Sequence, residues 1–127
     1  MSKKILVIGT LAFDSIQTPS LKSGIILGGA ATYISFSISK ISNNFGIVSV
    51  VGDDFPLEYL NRIKSTGADI SAVEIVKNKE SFFWSGKYHK DMNKRTTLET
   101  KLGVLENFNP IIPENFKDSN IVVLGNL

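Results

Sequence analysis

The chain has 127 residues, enough for one domain of ordinary size or part of a larger one. Its 43% hydrophobic and 20% charged content describes a soluble globular protein, and the lack of cysteine excludes disulfides, thiolate metal sites and cysteine nucleophiles. The net charge of +2 is too slight to argue for a nucleic-acid partner.

The opening segment KILVIG (4–9) is a continuous apolar run ending in glycine, which predicts a strand buried on both faces of a parallel sheet. The run is too short for a secretory signal, Asp14 follows soon after, and no run approaches a membrane span. A cytoplasmic protein with no membrane partner is expected. GIVSVVG (46–52) and NIVVLGN (120–126) repeat the strand pattern, so an α/β layered fold is expected.

Between the first two strands lies GGAATYISFSISKIS (28–42). Ile34, Phe36 and Ile38 alternate as in a strand, yet Ala31, Ile34, Ile38 and Ile41 keep helical spacing. Parallel strands need a crossover, so a helix is predicted just after the glycines, covered on both sides because Phe36 faces away from the other apolar residues. DDFPLEYLNRIKSTGADI (53–70) predicts a second helix. Asp53 and Asp54 serve as cap and dipole complement, Pro56 lies in the first turn, Leu57, Leu60 and Ile63 form one face, and Gly67 is the stop.

The texture changes after residue 72. AVEIV, SFFWSGKYH and RTTLETKL predict three extended segments of an antiparallel flap, to which FDSIQT (13–18) can add. Within it, Phe82, Trp84 and Tyr88 share one face, and Phe83, Ser85, Lys87 and His89 the other. NFNPIIPENF (107–116) is a Pro-marked loop with a helical turn that leads back to the sheet.

Ligands of open α/β sheets bind beyond the carboxyl ends of the strands, where Asp14 is expected. Its carboxylate can accept two hydrogen bonds from vicinal hydroxyls, or it can bond its own backbone in a turn. Gly28 and Gly29 precede a helix start, so free N–H groups converge there and a sugar ring could lie against bare main chain; a tight turn without ligand explains them equally. The glycine spacing fits neither a dinucleotide fingerprint nor a phosphate-binding loop. Lys87, Lys90, Lys94 and Arg95 beside Trp84 and Tyr88 read as a solvated hairpin tip rather than a nucleic-acid surface. His89 is the only histidine, so neither a histidine-dependent triad nor a metal site is expected.

Taken together, ILVIGTLAFDSI, GGAATYISFSISKI, GIVSVVGDDF, GADIS and IVVLGN resemble the ribokinase-like (PfkB) carbohydrate kinase family over nearly the whole chain. The resemblance implies a central, mostly parallel sheet with flanking helices and a small β lid, its strands at about 13–27 and 73–102. It implies that Asp14 hydrogen-bonds substrate hydroxyls, that Gly28 and Gly29 line the sugar pocket, and that Thr32 stands where an asparagine commonly contacts substrate. The partner is a sugar or nucleoside, with a homodimer formed through the lid. ATP and Mg²⁺ are implied as well, but the second family signature, which carries the catalytic base and the ATP-binding residues, does not occur in this sequence. The expectation is therefore the N-terminal, sugar-binding part of an ATP-dependent carbohydrate kinase, inactive as an isolated chain. The alternative is a non-catalytic module for ligand binding or lid-mediated dimerisation.

Overall fold

Residues 3–126 are described by a computed structural model. The apolar runs form the central sheet as expected. Strand β1 (Ile5–Ile8) pairs in parallel with a long strand (Phe45–Gly52) on one edge and with Ile121–Leu124 on the other. In chain order the remaining elements are β2 (Ala12–Gln17), β3 (Lys22–Gly28), α1 (Ala30–Ile38), β4 (the Phe45–Gly52 strand), α2 (Leu57–Lys64), β5 (Ala68–Asp69), β6 (Val73–Val76), β7 (Phe82–Tyr88), β8 (Arg95–Lys101) and β9 (the Ile121–Leu124 strand). The central sheet runs β5-β4-β1-β9, and a second sheet runs β3-β2-β7-β8.

Successive side chains of a strand point to opposite faces, and the core divides accordingly. Val7, Ile47 and Val51 pack with Ala31, Ile38, Leu60 and Ile63, so both α-helices among the described residues cover the same face. The other face is closed by Leu6, Val48 and Phe116, the last carried on a short 3-10 turn (Glu114–Phe116). The Pro-marked loop thus supplies the layer that a helix was expected to supply.

Helix α1 begins just after Gly29, as predicted, although its sequence favours strand. Context decides: small residues on its inner stripe let it lie close to the sheet, and its hydroxyls do not compete with the helix. Ser35 Oγ donates to the Ala31 carbonyl at 2.7 Å, and Thr32 Oγ1 to the Gly28 carbonyl at 2.7 Å. The buried stripe is Ala31, Thr32, Ser35 and Ile38, while Tyr33 is exposed, so the helix is covered on one side and not on both.

Two further expectations are corrected. Leu57 is 71% exposed, because it is the first helical residue and Phe55, ahead of the helix, takes the core position. Asp53 and Asp54 do not cap α2, whose N-cap is Pro56. Asp53 accepts from the Asn78 N–H at 2.9 Å. Asp54 accepts from the Ser81 N–H at 2.9 Å and from Ser81 Oγ at 2.7 Å. Both carboxylates hold the segment that enters the second sheet.

That second sheet is the expected lid, with differences. The segment 73–76, assigned to the lid from its texture, pairs in parallel with the second half of β4 and belongs to the central sheet. Strands β2 and β3 pair antiparallel, as do β7 and β8, but β2 and β7 at its centre are parallel. Among the described residues, no helix is long and apolar enough to cross a membrane.

Candidate ligand cavity between the sheets

Strand β1 is followed by Gly9 and Thr10, and the chain turns at once into β2. This short connection carries Asp14 out of the central sheet and onto the inner face of the lid. There Ala12, Asp14 and Ile16 alternate with the outward residues and line a cavity of about 470 Å³. Strand β7 runs alongside in register, with Asp14 opposite Trp84 and Ala12 opposite Phe82. Phe82, Trp84 and Tyr88 therefore line the same cavity, the face predicted for them, while Phe83 is turned to the back of the lid.

Asp14 is half-buried and has neither a hydrogen-bond nor an ion-pair partner among the described residues. Burial pushes its carboxyl above the ordinary value of 3.8, because desolvation disfavours the charged form and no neighbouring cation offsets it. The turn-aspartate alternative, in which the side chain bonds its own backbone, is not what the fold contains.

The glycine doublet has a separate reason at each position. A Cβ on Gly28 would lie 2.2 Å from Asp14 Oδ2, so the missing side chain is the space that the carboxylate occupies. Gly29 has φ of 97° and would bring a Cβ within 2.4 Å of the Thr10 carbonyl oxygen. Gly29 and Ala30 line the cavity, as does the exposed ring of Tyr33. Gly28 and Thr32 are not among the lining residues. Thr32 is 1% exposed, and its hydroxyl is engaged by the Gly28 carbonyl.

The helix start is not the open set of N–H groups that the sequence suggested. The Ala30 N–H donates to Thr10 Oγ1 at 3.1 Å and the Ala31 N–H to the Thr10 carbonyl at 2.9 Å. Thr10 caps α1 from the end of a different element, which pins β1, the doublet and the helix together at the floor of the cavity. Its hydroxyl in turn donates to the Asn126 carbonyl at 3.3 Å, and Asn126 also lines the hollow. Sequence reasoning missed Thr10 and Asn126. Their position immediately beyond the carboxyl ends of adjacent parallel strands is the signal that could have found them. Arg95 was seen only as part of a basic cluster, yet it reaches the cavity from β8.

Another hollow of about 220 Å³ lies between β6 and the loop after β8; its charged residues Glu74, Lys79 and Glu106 are all exposed. It lacks the half-buried, unpartnered group that distinguishes the Asp14 cavity. Two features of the described residues bear on ATP and Mg²⁺. These residues contain no group of three His, Cys, Asp or Glu side chains able to hold a metal ion, and the first N–H groups of α1 are already taken by Thr10.

No family model matches the sequence. Over 118 residues the chain is 30% identical to a cytidine kinase of Thermococcus kodakarensis, covering 92% of this chain and 41% of that protein. Among solved structures, it is similar to the ribokinase of Cryptococcus neoformans in complex with ADP, with a TM-score of 0.76 at 16% identity over 97% of this chain and 42% of the other. It is also similar to the nucleoside kinase of Methanocaldococcus jannaschii, an archaeal member of the ribokinase family. There the TM-score is 0.73 at 25% identity, over 97% of this chain and 44% of the other. With its parallel sheet, its β lid and the cavity between them, the chain has the ribokinase-like fold, and it spans less than half the length of the kinases it matches.

Proposed function

We propose that the cavity binds the hydroxyl-bearing part of a sugar or nucleoside, and that the chain is the acceptor-binding part of an ATP-dependent kinase. The observation that carries this reading is the Asp14 carboxylate: half-buried, without a protein partner, and facing a cavity walled by aromatic rings. A desolvated carboxylate left unpaired costs free energy, and a ligand with vicinal hydroxyls would supply the missing donors. Phe82, Trp84 and Tyr88 would cover the ligand's less polar face and keep water from it. Gly29 and Ala30 would form the floor.

In the complete enzyme the ligand's hydroxyl would receive a phosphoryl group from ATP. Within this chain the residues are assigned to binding and orienting the ligand, and the proton-accepting base to the family's second signature, which this sequence does not contain. The chain alone is accordingly expected to release no ADP above background when given ligand and Mg-ATP. The cytoplasmic location and a homodimer joined along the exposed lid edge belong to the same proposal, the latter checked by sedimentation.

Titration calorimetry with ribose and a nucleoside panel tests the reading. Binding is expected in the wild type and its loss in Asp14→Ala, at unchanged far-ultraviolet circular dichroism. Equal binding by both proteins would remove the proposal.

A further inference from the structure

Gly86 lies in the middle of β7, where a glycine ordinarily weakens a strand. A Cβ built on it would fall 2.1 Å from Trp84 Cη2 and 2.4 Å from Cζ2. The outer edge of the indole therefore occupies the space over the bare backbone two residues on. A β-bulge between Ser85 and Gly86 marks the same point in the pairing with β8. The ring is held at its edge by Nε1 donating to Thr97 Oγ1 at 3.3 Å, and the Arg95 guanidinium stands 5.5 Å from its centroid. Arg95 forms no ion pair among the described residues.

The inner face of the lid thus presents two successive stations. Asp14 and Trp84 are register neighbours on β2 and β7, and the indole extends from that point over Gly86, beside Ile16. One station offers a carboxylate to hydroxyls. The next offers the Trp84 indole with the Arg95 guanidinium over its ring, in a cavity whose 470 Å³ lies within the range of about 300–1,000 Å³ typical for drug-sized ligands. Flat rings bind planar heteroaromatic groups by stacking, and an arginine without a partner donates to in-plane acceptors.

We infer that Gly86, Trp84 and Arg95 form a base platform, which makes the ligand a nucleoside rather than a free sugar. The inference rests on the Asp14 reading above, which assigns the ribose hydroxyls to that carboxylate. Gly86 acts as a positioning residue: it keeps the indole down on the sheet, and any side chain there would lift the ring into the space meant for the base.

Trp84 is the only tryptophan, so its emission reports on this platform alone. The experiment titrates the 127-residue chain with ribose, cytidine and adenosine, following heat and Trp84 emission together. The nucleosides are expected to bind about 10-fold tighter than ribose and to quench Trp84, which ribose does not. Gly86→Ala and Trp84→Leu should each collapse that ratio, Trp84→Phe should keep most of it, and Arg95→Gln should lower it. Trp84→Leu forces no backbone shift, so it decides the matter if Gly86→Ala fails to fold. A ribose affinity equal to that of the nucleosides, with both lost in Asp14→Ala, would overturn the platform and leave the acceptor reading standing. Ligand binding that ignores Asp14, or no binding of any of the three, would overturn both.

Discussion

Strands β4 and β8 stand at opposite extremes of one molecule. All 8 residues of β4 are buried and all 7 residues of β8 are exposed. FGIVSVVG has strand neighbours along it, helices over one face and Phe116 on the other. RTTLETK has a single neighbour and no layer over it. The central sheet is a fully layered core, whereas the lid is one sheet thick with its inner face given to a cavity. Two sutures hold the lid to the core. One is the ring cluster of Phe13, Phe55 and Tyr59, with centroids 5.4 to 6.0 Å apart, and the other is the Asp54–Ser81 pair. On the proposed reading the central sheet carries most of the stability and the lid most of the ligand contacts, and substitutions should separate them.

The largest expected effect is in the core. Ile63 is fully buried, and Ile63→Ala should cost about 2–5 kcal/mol in denaturant unfolding. Next comes the second suture. Asp54→Ala leaves the N–H and hydroxyl of a buried serine without their acceptor, at a cost of about 1–2 kcal/mol. Hydrogen exchange should show the loss concentrated in the amides of β7 and β8; an equal loss in β4 would erase the distinction between the two sheets.

The third effect is smaller and opposite in sign. Because burial raises the Asp14 pKa in the folded state, the native protein holds more protons, and stability falls as pH climbs from 3.8 through the raised value. Asp14→Asn should therefore stabilise the chain at neutral pH, by less than about 1 kcal/mol since the group is partly solvated, while weakening ligand binding. The least effect is expected on the outer lid. Leu98 is half exposed on β8, and Leu98→Ser should change stability by no more than about 0.5 kcal/mol.

The parts of the fold that depend on neighbours in the chain were legible beforehand. Apolar runs marked the parallel strands, and the need for a crossover turned the ambiguous 28–42 segment into a helix. What depends on distant partners was not. Val73–Val76 has the composition of a strand, but composition does not say which sheet a strand joins. Asp54 looked like a helix cap because its partner, Ser81, lies 27 residues away in sequence. Of the four residues singled out for substrate, Asp14 and Gly29 line the cavity, Gly28 makes room for the carboxylate, and the Thr32 hydroxyl is taken up by the Gly28 carbonyl. Thr10 drew no notice in the sequence, since a threonine after a strand is unremarkable until the helix start is found resting on it.

The most direct measurement is the ligand dissociation constant as a function of pH, for the wild type and for Asp14→Asn. A gripping carboxylate requires that affinity fall on acidification, with a midpoint above the ordinary 3.8, and that the asparagine variant bind weakly without this titration. Superimposable profiles for the two proteins would contradict the account.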